Sequence, residues 1–83
     1  MRPKEYRYKL GNIISQLRCH LGWSQEKLAE MSQVDRSYIS QIENGGNLTI
    51  DKLYKISYAL GETPALILDK VERQSIYESR QKI

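Results

Sequence analysis

From Ser24 to Gly45 the chain reads SQEKLAEMSQVDRSYISQIENG, and this stretch constrains the fold more than any other. It reads as two short helices with a tight turn between them. Ser24 stands where an N-cap belongs, ahead of the helix formers Gln25, Glu26 and Lys27. Leu28, Ala29 and Met31 give the first helix an apolar side. Asp35 is a second N-cap, and its carboxylate suits the positive end of a helix dipole. Ile39 and Ile42 follow at helical spacing, with Val34 just before the cap. Asn44, Gly45 and Gly46 stop the second helix, because Asn and Gly tolerate the left-handed conformation. A helix this short is not stable alone. Packing through Ile39 and Ile42 must hold it, and its opposite face is not the usual Glu/Lys surface. Arg36, Ser37, Ser40 and Gln41 offer a guanidinium, hydroxyls and a carboxamide there, the groups that bond base edges and phosphates in a major groove.

These residues resemble the helix-turn-helix of the Cro and phage-repressor (XRE) family. The resemblance spans roughly residues 10 to 68. It rests on Gln25, Ala29, Val34, the run Arg36-Ser37-Tyr38-Ile39-Ser40, and Glu43-Asn44-Gly45. It implies an all-α, five-helix, lambda-repressor-like DNA-binding domain, with helices 2 and 3 as the helix-turn-helix and helix 3 in the major groove. The chain departs from the family at Gln33, where Gly is often found, so either Gln33 accepts an unusual backbone geometry or the turn differs slightly. The short chain and the run DRSYISQIENGGNLTIDKL look most like the controller proteins of restriction-modification systems. The family also implies an ion pair between Arg18, near the end of helix 1, and Glu43, which ends the recognition helix.

The chain divides into a basic arm over residues 1–9, the helix-turn-helix domain over 10–69, and a helix extension or tail over 70–83. The arm holds Arg2, Lys4, Arg7 and Lys9 against Glu5 alone. That accounts for the whole net charge of +3, and the remainder balances nine basic against nine acidic side chains. Such an arm suits a phosphate backbone, or is a solubilising tail. Helix 1 is expected from about Tyr8 to Leu21, burying Leu10, Ile13, Ile14, Leu17 and Leu21, with Gly22 as its stop and Trp23 covering the core. Thr49 caps helix 4, which buries Ile50, Leu53, Ile56, Ala59 and Leu60 and ends at Gly61. Thr63-Pro64 starts helix 5. Leu66, Ile67 and Leu68 then run consecutively, with Val71 one turn on. One face cannot bury them all, so Ile67, Leu68 and Val71 are expected as an exposed stripe for a C2 dimer. Folding back into the chain's own core is the alternative. The tail residues Ile76 and Tyr77 extend helix 5 or fray.

Arg36, Ser37 and Gln41 are the expected base readers, with Arg36 alternatively gripping a phosphate. Ser24, Gln25, Tyr38, Ser40, Asn44 and Asn47 are expected at the sugar-phosphate backbone. The loop Asn44-Gly45-Gly46-Asn47 would bring backbone N–H groups close to a phosphate, or is a plain connector. The partners implied are an operator in double-stranded DNA, a second copy of the chain and, as a further candidate, RNA polymerase. No membrane partner and no cofactor are implied. No apolar run nears the ~20 residues that cross a bilayer, and no secretory signal is visible. Cys19 is alone, so an internal disulfide is excluded, and with the single His20 beside it no zinc site or nucleophile–base pair forms. A reducing cytoplasm is the expected location. An enzyme finds no support, since no phosphate loop, carboxylate cleft or metal spacing occurs. The rival from another class is a protein-binding module, such as an antitoxin of the same fold holding its toxin through helix 5.

Overall fold

A computed structural model describes residues 2–81, and of residue 3 and residues 76–81 only the backbone. Five helices follow one another: α1 Pro3–His20, α2 Gln25–Ser32, α3 Arg36–Glu43, α4 Ile50–Ala59 and α5 Pro64–Gln81. Helix α1 packs on α3 and α5, α2 on α3 and α4, and α4 on α5. One core joins Leu10, Ile13 and Ile14 of α1 to Leu28, Val34, Ile39 and Ile42, and on to Ile56, Leu60, Ile67 and Val71. Every helix thus presents at least one apolar residue to a shared interior.

Helix α1 begins five residues earlier than the apolar spacing indicates. Pro3 takes the first helical position, where its fixed φ helps and its missing N–H is not needed, and Glu5 sits in the first turn. Most of the expected arm is therefore helical. The extension carries Tyr6 to the flank of α5. Tyr6 and Leu10 now lie beside Leu68, Val71 and Glu72. Ile67 is 0 % exposed and Val71 is buried with it, so these two belong to the domain's own core and not to an exposed stripe. Leu68 stays exposed, as does Leu66 on the other side of the helix. Helix α5 continues to Gln81, so the tail extends it; the side chains of Ile76 and Tyr77 lie outside the described residues, as do Lys82 and Ile83.

The caps follow the sequence closely. Ser24 accepts from the Lys27 N–H at 3.0 Å, Thr49 from Lys52 at 3.3 Å, and Thr63 from Leu66 at 3.1 Å. Gln33 adopts φ 58°, ψ 35°, so of the two alternatives the residue takes the left-handed geometry. Three apolar residues expected inside lie outside. Leu21 follows the last turn of α1, Met31 is on the open side of α2, and Ile50, 66 % exposed, opens α4 before its buried face begins. Ser32 and Ser57 fill buried positions instead, each returning its hydroxyl to a carbonyl one turn back, on Leu28 and Leu53.

Candidate nucleic-acid interface

Helix α3 has two faces of opposite character. Ile39 and Ile42 are buried, while Arg36, Ser37, Gln41 and Asn44 are exposed and Ser40 is half-buried between them. At about 100° per residue these five polar positions share an arc of roughly 140°. The expected readers therefore form one open ridge.

A clamp fixes the far end of that helix. Arg18 Nε and Nη2 donate to the two carboxylate oxygens of Glu43 at 2.7 and 2.9 Å. Arg18 Nη1 donates to the Trp23 carbonyl at 2.7 Å. The side chains are 13 % and 7 % exposed. The carboxylate hydrogen bond holds the Arg18 guanidinium above its ordinary value, outweighing the opposing effect of burial. Gln25 Nε2 joins at 3.1 Å to Glu43 Oε1, so the amide expected at the DNA backbone is at least partly engaged in the clamp. Gly11 lets α1 come this close: a Cβ there would collide with the Ile42 carbonyl.

The loop after α3 is more tightly bonded than its composition indicates. Gly45 takes φ +92° under the ring of Tyr8, and its N–H and that of Gly46 bond the carbonyls of Ile42 and Gln41 at 3.0 and 2.8 Å. Those two N–H groups close the helix and are not free for a phosphate, contrary to expectation. Asn44 Nδ2 bonds the Ser40 carbonyl at 2.8 Å, and Asn47 Oδ1 accepts from Arg7 Nη1 at 2.8 Å. Tyr38 spans the loop: its hydroxyl donates to the Asn47 carbonyl at 3.3 Å and accepts from the Thr49 N–H at 3.2 Å. The Lys52 ammonium lies 5.6 Å from the Tyr38 ring centroid.

At the leading end of α3, Ser37 donates to the Asp35 carboxylate, so Asp35 occupies the N-cap position without capping through its side chain. Arg36 Nε donates to Glu26 Oε1 at 2.7 Å. Neither the Glu26–Arg36 nor the Arg7–Asn47 pairing was legible in the sequence, because each joins separate elements with no periodic signal. Two open crevices, of 380 and 230 Å³, lie between α1 and α5, away from the ridge. Among the described residues no group of His, Cys, Asp and Glu could hold a metal, and no helix is long and apolar enough to cross a membrane.

Two short helices set by a left-handed turn, the second braced from behind and polar in front, define a helix-turn-helix protein. The helix-turn-helix family model matches residues 14–67. Control protein C.BamHI of Bacillus amyloliquefaciens is 51 % identical over 47 residues, which are 55 % of this chain and 58 % of that relative, so the match spans little more than half of it. Control protein C.MunI of a Mycoplasma species is 35 % identical over 72 residues, 84 % of this chain and 97 % of that one. Among solved structures, the clp gene regulator ClgR of Corynebacterium glutamicum superposes with a TM-score of 0.81 at 27 % identity, covering 93 % of this chain and 83 % of its own. The chain belongs to the helix-turn-helix family and, within it, groups with the restriction-modification control proteins.

Proposed function

We propose that the chain is a sequence-specific regulator of transcription, that it binds double-stranded DNA as a dimer in the cytoplasm, and that it controls a restriction-modification system. The observation that carries this reading is the exposed ridge of Arg36, Ser37 and Gln41 on a helix whose other face is buried and clamped. In this reading Arg36, Ser37 and Gln41 read base edges, while Ser24, Gln25, Tyr38, Ser40, Asn44 and Asn47 set the register on the backbone. Arg7 joins the second group through Asn47. RNA polymerase is the partner through which bound DNA would change transcription.

One recognition helix reads few base pairs, and two copies a DNA turn apart multiply the discrimination. With Ile67 and Val71 committed to the core, Leu68 is the one residue of the expected stripe still open to a second copy; Ile50, Tyr54 and Tyr58, spaced at i, i+4 and i+8 along α4, are exposed as well, as is Leu66 on α5. Tyr54 and Tyr58 already pack as a tilted pair, 5.9 Å between centroids. Footprinting on the DNA upstream of the chain's own gene tests the whole reading. A protected, near-palindromic site is expected, lost in Arg36→Ala; uniform, sequence-blind binding refutes it. Tyr58→Asp should sediment as a monomer with weakened binding, and an unchanged dimer would put the interface elsewhere.

A further inference from the structure

Glu26 is the second residue of α2 and Arg36 the first of α3, so two helix N-termini bring them together. Their contact is specific in its atoms: Glu26 Oε1 takes the Nε–H of Arg36 at 2.7 Å. Asp35, the acid next in sequence to Arg36, accepts from the Ser37 hydroxyl. A guanidinium is a flat fork of five N–H groups. With Nε–H held by a carboxylate, the terminal nitrogens Nη1 and Nη2 remain to act together. Guanine is read by two parallel N–H donors, one to O6 and one to N7. An arginine free to swing can as well grip one phosphate, which carries no sequence information.

We infer that Glu26 is a positioning residue for base recognition: it holds Arg36 by Nε so that the two terminal nitrogens face the groove together. The inference rests on Arg36 as a base reader. It gives Glu26 two effects of opposite sign. Its charge opposes binding to any phosphate backbone, and its grip on Arg36 raises the preference for guanine.

The test uses the full chain and duplexes it enriches from a random library, with each guanine replaced in turn, at one fixed salt concentration. Arg36→Ala identifies the guanine whose replacement ceases to matter. Glu26→Ala should lower discrimination at that guanine by about fivefold, the upper size an exposed ion pair supports, while binding to unrelated duplexes strengthens and the melting temperature holds. Glu26→Gln keeps an acceptor oxygen for Nε–H and should retain the larger part. In the Arg36→Ala background, Glu26→Ala should change no ratio. If Glu26→Ala strengthens binding to every duplex by one factor, the carboxylate only repels phosphate and the inference falls while Arg36 stands as a reader. If Arg36→Ala leaves every ratio unchanged, the reading beneath falls, and the inference with it.

Discussion

Glu43→Ala should be the most damaging single change outside the hydrophobic core. The carboxylate accepts two N–H groups of Arg18 and one of Gln25, and both members of the ion pair are nearly covered. Removing it strands the guanidinium with only the Trp23 carbonyl as a hydrogen-bond partner. Breaking a buried pair by removing one partner costs about 3–5 kcal/mol, and the rim of solvent at Arg18 puts this case near 3 kcal/mol. A chain of this length has roughly 4–12 kcal/mol of stability in all. The melting temperature should fall by about 12–24 °C. Circular dichroism on heating measures it, and urea unfolding with an unchanged m-value shows that stability fell without a change in the surface exposed on unfolding. The double variant Arg18→Met/Glu43→Leu removes both charges and should recover most of the loss, since the damage comes from the orphaned ion and not from any large net worth of the pair. A fall of less than about 4 °C in Glu43→Ala, or a double variant no more stable than the single one, would refute the reasoning.

Three further outcomes follow from the geometry. Gln33→Gly should gain about 1 kcal/mol by relieving a left-handed non-glycine residue, visible as a higher urea midpoint. Gly11→Ala should lose about 1–3 kcal/mol, because its methyl group meets backbone at Ile42 that has nowhere to move; a neutral result would mean α1 and α3 are loosely joined. The Glu26 carboxyl is held below its ordinary value, first by its own backbone N–H at the start of α2 and then by Arg36. A lowered carboxyl pKa stabilises the fold above the unfolded value and loses that contribution as pH falls through the folded one, so the Arg36 pair should persist to the acid side of the ordinary carboxylate range. Carbon-detected NMR titration should show the low midpoint, and Arg36→Ala should raise it only in part.

How far the sequence speaks depends on the distance over which each feature is decided. Ser24, Thr49 and Thr63-Pro64 act on groups three residues away, and all three caps form. Gln33 is legible for the same reason: one residue either fits the turn or strains in it. The Arg18–Glu43 clamp spans 25 positions, and only likeness to a family pointed to it. Nothing pointed to Arg7–Asn47, 40 positions apart, or to Glu26–Arg36. The misplaced apolar residues share a cause. Leu66, Ile67 and Leu68 sweep about 200° around a helix, so which one is buried depends on what packs there. Ile67 is the one that joins Leu10, Ile13 and Ile14 of α1 and Ile56 and Leu60 of α4, contacts set far away in the sequence, while the early start of α1 adds Tyr6 beside Leu68 and Val71. Pro3 carried the missing signal, as a residue at home in the first turn of a helix.

The same distribution of partners explains how a nearly neutral domain can meet a phosphate backbone. Three carboxylates stand at the ends of the α3 ridge, and each is engaged: Asp35 by Ser37, Glu26 by Arg36, and Glu43 by Arg18 and Gln25. An unpaired acid beside the groove would repel DNA at short range, where a Debye length of about 8 Å gives little relief. Paired, each acid orients a donor and repels phosphate less than it would alone. The ridge is thus kept short of free negative charge by the contacts that hold it in shape. Breaking the Glu43 contacts should therefore act mainly on the fold, and breaking the Glu26 contact mainly on the choice of base.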